Sequence, residues 1–280
     1  MEENVQIAFL LTILAGLSTG IGSLFAFFIK DRNAQWLAFT MGLAAGVMLY
    51  LSFMEMLPHA TNALSEALEH SHEHGHDHSH HSHSQGTWIA LLSFFGGMLL
   101  VVIIDRLMPH HNQHEINEHP SNQESKKLMR IGVMTAIALA IHNFPEGIAT
   151  FVSALEDPYL GLTIAIAIAM HNIPEGISVA MPIYHATGDR KKAFMYSFLS
   201  GLVEPIGAFL CYFLFMDFIN PMVMGGLIAS VAGIMVFISL DQLLPAAKEY
   251  GEHRLSIYGA VIGMLLMAIS LAMLGHHHVH

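Results

Sequence analysis

The chain has 280 residues, 54% of them hydrophobic and only 12% charged, with a formal net charge of −11. Soluble domains carry about 25% charged residues, so an ordinary soluble protein is excluded, and the acidic balance argues against a nucleic-acid partner. One cysteine, Cys211, excludes an internal disulfide framework and a cysteine-rich metal site.

A helix that crosses a bilayer needs roughly 20 mostly apolar residues and tolerates an internal Pro or Gly. In chain order, eight segments meet that condition. The first, 7–28, follows two acids, Glu2 and Glu3, rather than a basic leader, so it is expected to remain in the protein. The second, 37–57, precedes a polar stretch, 66–86, that carries His70, His72, His74, His76, His78, His80, His81 and His83. Such histidine tracts bind metals weakly and lack a packed core, so this one is expected to be an external loop that gathers metal at most. The third span, 88–108, leads into a polar loop, 109–130, with His110, His111, His114 and His119. The remaining spans are 131–155, 160–181, 193–215, 221–244 and 257–274, and His276, His277, His278 and His280 close the chain. The expectation is an all-α membrane protein, a single transmembrane domain over 1–280.

Charge placement orients it. The basic residues are Lys30 and Arg32; Arg106, Lys126, Lys127 and Arg130; Arg190, Lys191 and Lys192; and Lys248 and Arg254. They follow the first, third, fifth and seventh spans and so share one side of an eight-helix layout. Basic loops stay cytoplasmic, which puts both termini and 66–86 outside a cell membrane and 109–130 in the cytoplasm.

Five acids, Glu55, Glu146, Glu175, Glu204 and Asp241, fall inside spans that hold no Lys or Arg. A charge at a helix centre costs about 2.5–3.5 kcal/mol even on a lenient scale, so these carboxylates must be protonated, hydrated or bound to a cation. Two of them belong to a repeated motif. His142-Asn143-Phe144-Pro145-Glu146-Gly147 lies in the fourth span and His171-Asn172-Ile173-Pro174-Glu175-Gly176 in the fifth. His and Glu at i and i+4 share a helix face, and each Pro removes a backbone hydrogen bond and bends the chain. Two such helices side by side offer two imidazoles, two carboxylates and two amide oxygens at one depth. That donor set suits Zn(II), Fe(II), Mn(II) and similar ions and, without thiolate, not Cu(I). Glu204, followed by Pro205, can add a third carboxylate.

These residues resemble the ZIP (Zrt/Irt-like) family of zinc and iron permeases, especially its bacterial ZupT-like branch. The likeness rests on the doubled H-N-x-P-E-G, the L-A-F-T-M-G-L-A-A-G-V-M-L stretch of the second span, S-G-L-V-E-P in the sixth and A-G-I-M-V in the seventh. It implies influx of metal to the cytoplasm, zinc first, with Fe(II), Mn(II), Co(II) or Cd(II) open. It also implies two metal ions per chain, bridged by glutamates. One would use His142, Glu146, His171 and Glu175; the other would use Asn143, Asn172 and Glu204 and share Glu146 and Glu175. Some relatives carry Asp where Asn172 stands, so the second site is less anionic here. The expected partners are the lipid bilayer and divalent metal ions, and a homodimer is compatible with the sequence.

An intramembrane metal-dependent hydrolase would be expected to show H-E-x-x-H, which neither motif does, so no enzyme is expected. An exporter of another family would need a cytoplasmic metal domain, for which 109–130 is too short. A non-transporting metal sensor is left open by the sequence.

A second repeat is independent of any family. Ser52-Phe53-Met54-Glu55-Met56-Leu57-Pro58 and Ser239-Leu240-Asp241-Gln242-Leu243-Leu244-Pro245 both read S-x-x-[EQ]-x-L-P. The second and seventh spans run in opposite directions in the layout, as do the fourth and fifth. Similar sequence in opposite directions marks an inverted repeat with its site near mid-membrane. The expectation is that Glu55 lies at the outer mouth, where it admits the ion, and Asp241 with Gln242 at the inner one, where the ion is released.

Overall fold

A computed structural model describes residues 2–28, 34–71, 79–107, 120–250 and 253–275. All of its regular elements are helical. Among the described residues, eight helices are long and apolar enough to cross a membrane. α1 is Glu2–Phe28. α2 consists of Ala34–Leu51, a π-helical turn at Ser52–Met56 and Leu57–Ser71. α3 is Ser79–Leu107, α4 Pro120–Glu156 and α5 Pro158–Thr187. α6 starts as Arg190–Gly201, resumes as Val203–Leu210 and ends in a π-helical turn, Cys211–Phe215, and a short 3-10 turn, Met216–Phe218. α7 is Pro221–Ile238, a π-helical turn at Ser239–Leu243 and Leu244–Tyr250, and α8 is His253–Gly275.

The helices outrun the apolar spans. α2 continues through Ser71 and α3 begins at Ser79, so most of the stretch expected as a 66–86 loop is helical backbone, and 72–78 lie outside the described residues. Likewise α4 starts at Pro120, inside the expected 109–130 loop, and 108–119 lie outside the described residues. Hydropathy stops where the lipid would stop, whereas a helix stops only where capping or a breaker ends it. Beyond Leu57 the helix carries Ser, Thr, Asn and Glu among alanines and leucines, none of which breaks it. The terminal histidines also lie outside the described residues.

Local chemistry sets the tight connections. Asp157 caps α5 by accepting the Tyr159 N–H at 2.9 Å, with Pro158 at the first helical position. Asn220 does the same for α7, accepting from Val223 N at 3.0 Å ahead of Pro221. These are the preferred cap and first-turn residues. α5 ends on Gly188 in the left-handed conformation, φ 70°, where a side chain would be strained. Asp189 then caps α6 through the Lys192 N–H.

At the other end of α7, Lys127 pairs with Glu249 at 2.5 Å, and Arg130 pairs with Asp105 at 2.9 Å. The end of α3, the start of α4 and the end of α7 therefore meet on one face, which also carries the α5–α6 turn. The α4–α5 turn lies on the opposite face.

Contacts between helices obey a pseudo-twofold. A Cβ on Gly22 of α1 would fall 2.0 Å from the Ile173 carbonyl oxygen of α5; one on Gly207 of α6 would fall 2.4 Å from that of Phe144 of α4. A Cβ on Gly46 of α2 would meet the Ala260 carbonyl of α8, and one on Gly233 of α7 would meet the Phe94 carbonyl of α3. The pairs superpose α1 on α6, α2 on α7, α3 on α8 and α4 on α5. Small residues at such crossings let helices pack closely where no hydrophobic effect drives them together.

The π-helical turns repeat the same symmetry. Pro58 and Pro245 each lack an N–H and crowd the preceding turn. In each case the ladder widens: Leu57 N–H bonds to Ser52 O and Leu244 N–H to Ser239 O. Ser52 Oγ donates to Met48 O at 2.7 Å, and Ser239 Oγ to Met235 O at 2.8 Å.

The outer surface is apolar. Leu14 and Ile21 on α1, Leu92 and Leu99 on α3, and Leu265 and Ile269 on α8 are all exposed. Contiguous apolar surface on this scale fits lipid and not water.

Candidate metal centre

The two H-N-x-P-E-G motifs meet on adjacent turns of α4 and α5, and each helix continues unbroken through its proline. The pairing is reciprocal. His142 Nε2 lies 3.1 Å from Glu175 Oε1, and His171 Nε2 lies 3.1 Å from Glu146 Oε1. His142 Nε2 is also 3.3 Å from Glu146 Oε2 within its own motif. The two imidazole centroids are 6.4 Å apart. Ligand atoms of His142, His171 and Glu175 all lie within 4.8 Å of one another. Zinc binds imidazole nitrogen and carboxylate oxygen at about 2.0–2.2 Å in a tetrahedron, which puts neighbouring ligand atoms about 3.4 Å apart. The spacings need shift only slightly to seat an ion.

Asn143 and Asn172 are fully buried and oriented by backbone. Asn143 Nδ2 donates to Ser200 O of α6 at 2.9 Å, and Asn172 Nδ2 donates to Ala15 O of α1 at 3.0 Å. Asn172 Nδ2 also donates to Glu204 Oε1. Because both amide nitrogens are engaged, both amide oxygens are left inward: Asn143 Oδ1 and Asn172 Oδ1 are buried without a hydrogen-bond partner, as are Glu175 Oε2 and Glu204 Oε2. Buried acceptors without donors are rare and costly. Four on three adjoining helices, beside the buried carboxylates of Glu146, Glu175 and Glu204, form a set that suits protons, ordered water or cations. Thus the structure gathers His142, Asn143, Glu146, His171, Asn172, Glu175 and Glu204 in one buried cluster.

Glu55, Asp241 and Gln242 lie apart. A cavity of about 270 Å³ opens toward the α4–α5 face and runs from Glu55 and His59 on α2 down to Glu146 and His171. Its walls are otherwise mostly apolar, among them Leu51, Val152, Ile164 and Ile168. The pseudo-twofold matches Glu55 with Gln242, not with Asp241. Gln242 is buried and its Oε1 accepts from Thr135 Oγ1 at 3.3 Å. Asp241 is exposed on the widened turn, within electrostatic reach of Asp105 and Arg130. It lies off the wall that corresponds to the cavity because the motif aligns Glu with Gln, and a one-residue offset turns a helical side chain by about 100°.

Two residues escaped the motif reading. His59 lines the cavity one turn beyond Glu55, and an E-x-x-x-H spacing marks it. Thr19 occupies on α1 the place that Glu204 has on α6: the Thr19 carbonyl faces Gly176 as that of Glu204 faces Gly147. The signal was a repeat of Gly16-Leu17 and Ile21-Gly22 as Gly201-Leu202 and Ile206-Gly207.

Comparison with known proteins agrees with this architecture. A family model described as ZIP zinc transporter matches residues 5–129 and 109–271. The zinc transporter ZupT of Streptococcus mutans is 54% identical over 273 residues, covering 97% of this chain and 98% of that protein. That of Oceanobacillus iheyensis is 52% identical over 279 residues, covering 97% and 99%. That of Clostridium perfringens is 49% identical over 287 residues, covering 96% of each. With eight membrane-length helices and a match over nearly its whole length, the chain belongs to the ZIP zinc transporter family, a family of transporters and not of enzymes.

Proposed function

We propose that the chain carries Zn(II) into the cytoplasm through a two-ion centre in mid-membrane. The observation that carries this reading is the set of buried oxygens without donors on Asn143, Asn172, Glu175 and Glu204 beside the reciprocal His–Glu pairs. One ion is held by His142, His171, Glu146 and Glu175. The second is held by Asn143, Asn172 and Glu204, and shares the two bridging glutamates. Imidazole and carboxylate donors also admit Fe(II), Mn(II), Co(II) and Cd(II), so zinc preference rests on the relatives. A binding site alone would serve a sensor. The cavity that links one membrane face to Glu146 and His171 favours a carrier.

Direction follows from charge. Arg130, Lys127 and Lys191 belong to the face of the α5–α6 turn, which basic loops place in the cytoplasm; the cavity then opens outside. A reporter fused at the C-terminus should be active only outside the cytoplasm, and cytoplasmic activity would refute this orientation.

The two-ion reading is tested by metal titration of purified protein, paired with zinc flux into proteoliposomes. Wild type should bind in two tight steps, ahead of any weaker binding outside the centre. Glu204→Ala should lose the second step and keep the first. Uptake should then slow by roughly tenfold, the effect of about 1.4 kcal/mol lost from one ion. A single tight step in wild type would refute the second site.

A further inference from the structure

The cavity carries polar donors at both of its ends. At its floor are Glu146 and His171, which belong to the centre. At its mouth are Glu55 and His59. Each end offers one carboxylate and one imidazole. Glu55 and His59 are four positions apart on α2, a spacing that puts them on one face, and both are exposed where the helix meets the cavity. Glu55 sits in the wide turn at Ser52–Met56, which inserts an extra residue ahead of Pro58.

We infer that Glu55 and His59 form a capture site for a divalent zinc-like cation at the mouth of the cavity. This rests on the transport reading above and adds to it a site outside the centre, with His59 as a ligand. A carboxylate oxygen and an imidazole nitrogen supply two of zinc's four positions, and water fills the others. The site therefore binds loosely enough to let the ion go. Between Glu55 and Glu146 the walls are mostly apolar, at Leu51, Val152 and Ile164 among others, and Ser153 adds only a neutral hydroxyl, so an ion that leaves the pair meets no second carboxylate or imidazole before the centre.

The other half of the molecule argues that this pair is not a by-product of the repeat. The pseudo-twofold sends Glu55 to Gln242 and His59 to Ala246. Neither is a competent partner for a transition metal, and both are buried. The wall residues Leu51, Ile164 and Ile168 map onto Ile238, Thr135 and Leu139, which are also fully buried. One route to the centre thus ends in an imidazole and a carboxylate and its counterpart in an amide and a methyl group. Ligands at the mouth collect scarce ions where the cavity is open. At the two matched positions the opposite path has no imidazole and no carboxylate to retain an ion.

The test is zinc uptake into proteoliposomes over a range of free Zn(II), with His59→Ala, Glu55→Gln and the double variant. Each single variant should raise the apparent KM by roughly five- to tenfold, the range expected for losing about one weak contact. The change should be carried by KM and not by the maximal rate, and the double variant should resemble the singles because the pair acts as a unit. Wild-type KM in both single variants would overturn the capture site. A readout independent of transport separates this from failure of the transport reading. In a Glu146→Ala, Glu175→Ala background whose histidines at 70–83, 110–119 and 276–280 are replaced by Ser, titration with Zn(II) should retain one weak binding step that His59→Ala removes. If that step is missing, or survives His59→Ala, the capture site is refuted whatever the flux data show.

Discussion

Replacing Glu146 or Glu175 by Ala should abolish zinc uptake in correctly inserted protein. Each carboxylate faces the imidazole of the other motif at 3.1 Å, and each is proposed to bridge both ions. Loss of one removes a ligand from both sites, leaves an imidazole without its partner and brings two cations together without the intervening negative charge. Mutation of a mere outer-shell partner costs about 10–100-fold in metal affinity, so loss of a shared ligand should exceed the upper end of that range. Glu146→Gln is the informative control. It keeps the volume and one acceptor oxygen, so a packing role would leave it active and a charge role would not. Zinc flux at the wild-type rate in Glu146→Ala or Glu175→Ala would refute the bridging model.

The second large effect concerns access. Ala149 in the cavity wall and Ser178 are equivalent positions of the two motifs, each three residues past its glutamate. Ala149 is half-buried beside the open cavity, whereas Ser178 is fully buried and its hydroxyl donates to Glu175 O at 2.7 Å. In a Cys211→Ser background, Ala149→Cys should react readily with a thiol reagent applied from the α4–α5 face. Ser178→Cys should be protected by roughly a hundredfold, the factor that follows from an opening cost of about 3 kcal/mol. If two packings of an inverted repeat exchange during transport, zinc turnover should expose Ser178→Cys to reagent on the opposite face while Ala149→Cys becomes protected. Equal reactivity at both positions without zinc would mean that the inner path is open at rest. No change on adding zinc would mean that the halves do not exchange. The Thr135–Gln242 hydrogen bond lies in the closed half, at the positions equivalent to the cavity residues Ile164 and Glu55, so it must break when that half opens.

Much of this was legible in the chain itself. Long apolar runs with charges confined to their ends can satisfy their backbones in lipid only as helices, so the all-α, eight-span class followed from hydropathy. A doubled H-N-x-P-E-G in spans without Lys or Arg named six of the seven clustered residues, because acids without a counter-charge in a membrane must be protonated, hydrated or bound to a cation and the i, i+4 spacing gathers them on one face. Glu204 was legible for the same reason, as an acid without a counter-charge inside a span. The matching S-x-x-[EQ]-x-L-P ends displayed the inverted symmetry, and the same wide turn precedes the proline in both.

The rest depended on tertiary structure. The helix that continues past the apolar spans, as over 58–71 and 120–130, is held by backbone hydrogen bonds, which hydropathy does not measure. That Gln242 and not Asp241 matches Glu55 depends on which side of a widened turn faces the cavity. Side chains one position apart diverge by about 100°, and only packing selects between them. His59 is an ordinary polar residue until α4, α5 and α7 close a wall opposite it. The orientation of Asn143 and Asn172 depends on the carbonyls of Ser200 and Ala15, which belong to α6 and α1. A sequence names the donors on its own helix; the carbonyl that turns an amide oxygen inward comes from a neighbour, and the close approach that supplies it is set by glycines such as Gly22 and Gly207 far away in the chain.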